Sequence, residues 1–218
     1  MNPIFPSILS TDCFNLQSRL LQFGESGIDY IHLDIMDGHF VDNLSFGPSL
    51  IEPLKRMGFK VDSHLMVSNP SKMIPKFIEK GSDWVSFHIE TKDNIVENLK
   101  YIRANGCKAG LALNPDTEIE QLYPYFDFLD YILIMSVFPG YGGQKFITQS
   151  IKRAEKLSKE IKKNSNKIYI QMDGGLTGTV INTLKGSGVE LYVVGTHLYK
   201  SEAISDKIAE LMEIINGE

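Results

Sequence analysis

The chain has 218 residues, of which 43% are hydrophobic and 22% charged, which is typical of a globular protein with a sizeable core. The net charge of −5 argues against nucleic acid or an anionic membrane as a partner. Two cysteines exclude a disulfide framework, and the lack of a leader or a bilayer-length apolar run predicts a soluble, cytoplasmic protein.

Short apolar runs alternate with longer amphipathic runs along the chain. The strand-like runs are Ile4–Leu9, Asp29–Asp34, Lys60–Met66, Asp83–His88, Lys108–Leu113, Asp130–Ser136, Lys167–Met172 and Glu190–Gly195. The helix-like runs are Asn15–Phe23, Ser49–Met57, Lys72–Lys80, Asn94–Asn105, Ile119–Tyr125, Gln149–Lys163, Gly178–Gly186 and Glu202–Ile215. Such alternation predicts a parallel sheet, and eight units fit an α/β fold of the (β/α)₈ TIM-barrel type. We expect one domain over residues 1–218, with an open doubly wound sheet as the alternative.

Polar residues stand at three of the predicted strand ends, where the chemistry of such a barrel is located. His32 and Asp34 end the second strand on one face, because alternate residues of a strand share a face. His64 stands near the end of the third strand, and Asp173 follows the seventh. Each residue alone could be a hydrogen-bonded core histidine or a helix cap. Together they predict a site for one divalent metal ion, since four unpaired titratable groups buried together would be costly.

The arrangement of these strands indicates a reaction. The second and third strands are neighbours, whereas the seventh lies across the barrel, so Asp34 and Asp173 would approach a substrate from opposite sides. One carboxylate could remove a carbon-bound proton while the other returns a proton to the opposite face. A metal that polarises the substrate oxygens would stabilise the resulting enediolate. The pattern therefore predicts an epimerase, because an aldose–ketose isomerase needs only one face.

Glycine-rich turns follow the sixth, seventh and eighth strands and predict a phosphate site. Loops at this place in a barrel bring backbone N–H groups close to an anion. The segments are Gly140-Tyr141-Gly142-Gly143, Gly174-Gly175 and Gly195-Thr196. Ser7, at the end of the first strand, could supply a hydroxyl to the substrate or cap the following turn. A small-molecule sugar phosphate is the expected ligand.

These motifs, in this order, resemble the ribulose-phosphate 3-epimerase family over nearly the whole chain. The segments that carry the resemblance are Pro6–Ser10, His32–Val41, His64–Val67, Gly106–Leu111, Asn114–Pro115, Met135–Gln144 and Asp173–Gly175. The resemblance implies a barrel of the ribulose-phosphate-binding type. It also implies interconversion of D-ribulose 5-phosphate and D-xylulose 5-phosphate at C3, a step of the pentose phosphate pathway.

The resemblance also assigns roles to residues. Asp34 becomes the proton acceptor and Asp173 the donor, and the two exchange roles in the reverse direction. The implied metal ligands are His32, Asp34, His64 and Asp173, with zinc as the first expectation and iron(II), manganese or cobalt as alternatives. The implied substrate contacts are Ser7, His64, Gly140, Tyr141, Gly142, Gly143, Asp173, Gly174, Gly175, Gly195 and Thr196. Met36, Met66 and Met135 match pocket-lining methionines, although each could equally be flexible core filler.

The chain departs from the family pattern at Ile89, Phe138, Gln171, Met172 and His197. None of these positions removes a predicted ligand or acid, but Phe138 and His197 border the predicted pocket. D-Allulose 6-phosphate therefore stays an alternative substrate.

Other functions are also open at this point. An aldolase or synthase would commonly use a strand-end lysine or a magnesium-bound carboxylate. The candidates Lys60, Lys108 and Lys167 stand at strand starts, on the wrong rim. A non-catalytic binding barrel should lack one acid or ligand, which this chain does not. Homo-oligomerisation is possible.

Overall fold

The computed structural model describes residues 1–201 and 203–217 and contains one sheet of eight parallel strands. The strands are β1 Ile4–Pro6, β2 Tyr30–Met36, β3 Lys60–Met66, β4 Trp84–His88, β5 Lys108–Leu113, β6 Tyr131–Met135, β7 Tyr169–Asp173 and β8 Leu191–Val194. Each strand from β2 to β7 pairs with the next one in sequence, and β8 pairs with β1. A parallel bridge between Ser7 and His32 brings β1 to β2. The predicted (β/α)₈ barrel is confirmed, and the open doubly wound sheet is wrong.

Helices cover the outside of the barrel. The α-helices are α1 Leu16–Glu25, α2 Ile51–Arg56, α3 Pro70–Glu79, α4 Ile95–Ala104, α5 Gln149–Ile161, α6 Gly178–Thr183, α7 Thr196–Tyr199 and α8 Ile204–Asn216. Short 3₁₀ helices span Cys13–Asn15 and Pro48–Leu50, and a longer one spans Ile119–Phe128. Glu202, the predicted start of the last helix, lies outside the described residues. Within residues 1–201 and 203–217, every helix is too short or too polar to cross a bilayer.

Several predicted bounds differ from those observed, for example at the end of β1, which is Pro6 and not Leu9, and two of the differences have a clear local cause. The predicted helix Ile119–Tyr125 is a 3₁₀ helix that continues to Phe128. Pro124 lies inside it and has no backbone N–H to donate, which disfavours regular α-helical hydrogen bonding. Strand β2 ends at Met36 instead of Asp34, because Met36 still pairs with Met66 of β3. The two extra pairs, Ile35 with Leu65 and Met36 with Met66, extend β2 further toward the mouth of the barrel.

Aromatic side chains fill the lower part of the barrel interior. Phe5 stacks on Tyr30 with ring centroids 4.7 Å apart, and Trp84 lies 4.7 Å from Tyr131. A methyl group at Gly110 would overlap the Tyr131 ring, so the absence of a side chain there makes room for the tyrosine. Bulky layers of this kind make a barrel interior a packed core rather than a pore. They form a rigid floor beneath the polar residues at the mouth.

Candidate active site and metal centre

Four side chains from β2, β3 and β7 converge at the mouth of the barrel. One ligand atom each from His32, Asp34, His64 and Asp173 lies within 4.8 Å of every other. Both histidines are fully buried, Asp34 is 4% exposed and Asp173 is partly exposed. Two imidazoles and two carboxylates at this spacing could hold a divalent metal ion.

The orientation of His32 supports this interpretation of the cluster. Its Nδ1 lies 2.8 Å from Oδ2 of Asp62, so Nδ1–H can donate to that carboxylate. Its Nε2 is buried, has no hydrogen-bond partner and lies 3.4 Å from Oδ1 of Asp34. A buried nitrogen without a partner is costly. Histidines that bind a metal usually donate their other ring N–H to a carboxylate or a carbonyl. His32 has this arrangement, with Nδ1 bonded to Asp62 and Nε2 facing the cluster.

Asp62 is the centre of a buried polar network below the cluster. It accepts hydrogen bonds from His32, from the Tyr131 hydroxyl at 3.0 Å and from Nε2 of Gln171 at 2.8 Å. Gln171, a departure from the family pattern, therefore contacts the residue that orients His32. Sequence analysis gave Asp62 no role. The sequence feature that could have pointed to a role is a charged residue inside an otherwise apolar strand, because a buried ionised group needs partners.

His64 belongs to a second buried network. Its Nδ1 lies 3.3 Å from Oδ1 of Asp34, and its Nε2 lies 2.9 Å from Nε2 of His88. His88 Nδ1 in turn lies 3.0 Å from Oε2 of Glu90. Burial, which outweighs the nearby charge of Asp34, lowers the pKa of His64 to about 4 and so favours a neutral imidazole. His64 lies beneath the pocket and is fully buried, and its predicted substrate contact stays a prediction.

The two carboxyl groups have opposite pKa shifts. Burial disfavours the charged form of Asp34, but His32 and His64 outweigh it and hold its pKa well below the usual range. Ser7 Oγ also donates to Oδ2 of Asp34 at 2.6 Å. Burial, followed by the charge of Asp34, raises the pKa of Asp173 to about 8. The two shifts therefore favour the charged form of Asp34 and the protonated form of Asp173, a difference that suits acid–base chemistry.

A cleft opens above the cluster and is lined by the glycine-rich loops. Its walls include every predicted substrate contact except His64, and all three predicted methionines. These residues are Ser7, Met36, Met66, Met135, Gly140, Tyr141, Gly142, Gly143, Asp173, Gly174, Gly175, Gly195 and Thr196. Their binding roles stay predictions, but the structure brings them to one place.

The double glycine after β7 lets two loops approach each other closely. Gly174 and Gly175 have φ of 119° and 66°, a region that L side chains rarely adopt. A Cβ at Gly174 would lie 2.5 Å from Cγ2 of Val137, and one at Gly175 would lie 2.6 Å from the backbone nitrogen of Phe146. The loop after β6 can therefore pack against the end of β7 only because these positions lack side chains.

Further residues of the cleft were not predicted as contacts. Ser10, His197 and Lys200 lie in its wall, and Ser10 Oγ is 2.9 Å from Oγ1 of Thr196. Lys200 is exposed on the mouth side, whereas Lys60 and Lys108 are exposed at the starts of their strands, on the opposite rim. Sequence analysis weighed lysines only near predicted strands and so missed Lys200, which follows α7.

The loops after β2 and β6 are hydrogen-bonded to each other across the mouth of the barrel. Asn43 Nδ2 donates to the carbonyl oxygen of Gly140 at 2.7 Å, and the Tyr141 hydroxyl donates to that of Asp42 at 2.7 Å. Phe138 and Tyr141 remain 51% and 59% exposed. The two loops thus frame one side of the cleft entrance.

Comparisons with known proteins agree with this geometry. A family model described as the ribulose-phosphate 3 epimerase family matches residues 3–199. A ribulose-phosphate 3-epimerase of Aquifex aeolicus is 36% identical over 217 residues, covering 99% of this chain and 97% of the relative. One of Buchnera aphidicola subsp. Schizaphis graminum is 40% identical over 195 residues, covering 88% of this chain and 86% of the relative. Among solved structures, KGPDC from Streptococcus mutans superposes with a TM-score of 0.75 at 11% identity, covering 100% of this chain and 98% of that one. That likeness is one of fold alone.

Proposed function

Because the chain belongs to the ribulose-phosphate 3-epimerase family, we propose that it interconverts D-ribulose 5-phosphate and D-xylulose 5-phosphate with the help of one divalent metal ion. The observation that carries the proposal is the convergence of two carboxyl groups and two imidazoles within 4.8 Å at the barrel mouth. The enzyme inverts C3 by removing its proton on one face and adding a proton on the other.

Asp34 and Asp173 are the proton-transferring pair. Asp34 is charged at neutral pH and takes the C3 proton of ribulose 5-phosphate, while Ser7 holds the oxygen of Asp34 that does not face the histidines. Asp173 keeps a proton at neutral pH and gives it to the opposite face. The order of the two pKa values supports this assignment. A cation bound between the groups would lower both pKa values, so the order matters here and not the values themselves. In the reverse direction the two residues exchange roles.

Four residues would hold the metal ion, namely His32, Asp34, His64 and Asp173. A divalent cation bound by these residues would polarise a neighbouring carbonyl and make the adjacent C–H more acidic. The unpartnered Nε2 of His32 and the mixed nitrogen and oxygen donors support such a site. Zinc is the first candidate, with iron(II), manganese and cobalt as alternatives.

The rest of the cleft binds and shields the sugar phosphate. Backbone N–H groups of the loops after β6, β7 and β8 bind the phosphate, and Lys200 adds a positive charge at the same side. Met36, Met66 and Met135 are at most 5% exposed and line the cleft beside the carboxyl groups. Their apolar side chains exclude water from the proton-transfer path.

The substrate can be tested by an epimerase assay on the purified, metal-loaded protein. We expect turnover of D-ribulose 5-phosphate to D-xylulose 5-phosphate, and slower turnover of D-allulose 6-phosphate. Faster turnover of the hexose phosphate would identify D-allulose 6-phosphate as the preferred substrate. Binding of ribulose 5-phosphate without turnover would favour a non-catalytic barrel, and carbon–carbon cleavage would favour an aldolase.

The two carboxyl groups can be tested by Asp34→Asn and Asp173→Asn. Each change keeps the size and one oxygen ligand but removes the acid–base group, so kcat should fall by about 10³-fold or more. Asp29→Asn is a control on the opposite rim, where Asp29 accepts a hydrogen bond from the Asn2 backbone. Near-normal kcat in either site variant would contradict the two-base assignment.

A further inference from the structure

The two nitrogens of the His64 imidazole face different partners. Nδ1 points toward the cluster and lies 3.3 Å from Oδ1 of Asp34. Nε2 points away from it and lies 2.9 Å from Nε2 of His88. His64 can therefore bind a cation only through Nδ1, which must then carry no proton, so that Nε2 carries the single proton of the neutral ring.

The contact between the two imidazoles requires one donor and one acceptor. If His64 Nε2–H donates, His88 Nε2 must accept, and the proton of His88 then lies on Nδ1. Nδ1 of His88 is 3.0 Å from Oε2 of Glu90, which as a carboxylate oxygen can only accept. The three side chains thus form a chain of hydrogen bonds that runs in one direction, from His64 to Glu90.

Glu90 is itself held firmly. Its second oxygen accepts the backbone N–H of Asn114 at 2.7 Å and the hydroxyl of Thr117. Arg153 of α5 fixes the same loop, because it donates to the carbonyl oxygens of Asn114 at 2.9 Å and Thr117 at 2.7 Å. The donors around its two oxygens favour the ionised carboxylate, so Glu90 can only accept a hydrogen bond from His88.

We propose that Glu90 is a positioning residue that acts through His88 to keep the His64 proton on Nε2 and leave Nδ1 free for the metal ion. The proposal rests on the proposed metal-dependent function, but it makes a claim about the protein before any ion binds. Replacing Glu90 by glutamine breaks the chain in either amide orientation. An NH₂ group facing His88 reverses the hydrogen-bond direction, and an oxygen facing His88 leaves an NH₂ group against the N–H of Asn114.

The test is long-range ¹H–¹⁵N NMR of the histidine rings in the metal-free protein, with His64→Gln used to assign the His64 signals. We expect wild-type His64 to carry its proton on Nε2, and E90Q to show a mixture or a shift to Nδ1. Titration with Co²⁺ should show affinity about 10- to 100-fold weaker in E90Q than in wild type. Asp93→Asn is the matched control, because Asp93 lies in the same loop and accepts backbone N–H groups but does not contact His88.

Two results would overturn the proposal. The first is a wild-type His64 with its proton on Nδ1, a measurement that does not depend on E90Q and stands even if that variant does not fold. The second is an E90Q protein whose His64 tautomer and Co²⁺ affinity match those of wild type. Failure of the wild-type protein to epimerise ribulose 5-phosphate would instead contradict the proposed function and leave the tautomer result unchanged.

Discussion

At the scale of single residues, Asp37 joins the loop after β2 to the loop after β3 through hydrogen bonds. Its carboxylate accepts the backbone N–H groups of His39 and Phe40 at 2.9 Å, and the N–H and hydroxyl of Ser68 at 2.8 and 2.6 Å. Burial opposes its charge, but these hydrogen bonds outweigh burial and hold the pKa of Asp37 well below its usual value of 3.8. The loop therefore depends on an ionised side chain.

Asp37→Asn should destabilise the fold by about 1–3 kcal/mol at pH 7, because an amide cannot accept all four bonds. The contribution of Asp37 is fully present above the unfolded pKa of 3.8 and decreases as the pH falls below it. The difference in the free energy of unfolding between wild type and variant should therefore shrink from pH 7 to about pH 3. Urea unfolding at both pH values measures it, and an equal difference at both would contradict the assignment.

The convergence of the four proposed metal ligands could be predicted from the sequence because they stand at strand ends, in segments such as His32–Asp34 that also carry the family resemblance. Their partners Asp62 and Glu90 could not be assigned roles. Asp62 contacts Gln171, 109 positions away, and this contact exists only after β7 has closed toward β3. Such long-range contacts leave no periodic pattern in the chain.

At the scale of elements, the loop after β6 depends on the turn after β7. Gly175→Ala places a Cβ 2.6 Å from the nitrogen of Phe146, at a φ of 66° that alanine disfavours. Gly186 has a similar φ of 80° but nothing within 4 Å of an added Cβ, which makes Gly186→Ala a matched control for backbone strain alone.

G186A should cost about 1 kcal/mol and leave activity unchanged. G175A should cost more than G186A and raise KM for ribulose 5-phosphate several-fold, because it displaces the loop that lines the phosphate side. Thermal unfolding and steady-state kinetics of both variants separate the two effects. Equal stability and equal KM in the two variants would show that the close approach at Gly175 has no role.

Element boundaries were less predictable than element order. The 3₁₀ helix over Ile119–Phe128 has the hydrophobic spacing of a helix, and the type of hydrogen bonding depends on Pro124 and on packing against the barrel. Strand β2 extends to Met36 because β3 offers a partner there, which local residue preferences do not reveal.

At the scale of the whole molecule, closing the barrel brings ionisable groups from three strands to one point and so couples metal binding to protonation. Burial opposes a proton on His32, but the charges of Asp34 and Asp62 outweigh burial and raise its pKa. Asp173, with a pKa of about 8, also holds a proton at neutral pH. His32 must lose its extra proton to bind a cation, whereas Asp173 has two oxygens and can bind through one while the other carries a proton.

Binding of Zn²⁺ to the metal-free protein at pH 7 should therefore release on the order of one to two protons. Calorimetry in two buffers with different ionisation enthalpies measures this number. Affinity should rise with pH between about 6 and 8 as the competing protons are lost. Identical heats in the two buffers would contradict a site in which these groups are ligands.

Removal of the metal by a chelator should abolish epimerase activity, and added Zn²⁺ should restore it.

The most direct test of two acids acting on opposite faces is the origin of the hydrogen at C3 during the first turnover in D₂O. In the proposed mechanism, Asp34 removes the original hydrogen, and Asp173, which has exchanged with solvent, delivers a deuteron from the other side. ¹H NMR at early times should show xylulose 5-phosphate deuterated at C3 while the unreacted ribulose 5-phosphate still carries hydrogen. First-formed product that retains the original C3 hydrogen would show a single group acting on both faces and would contradict the account.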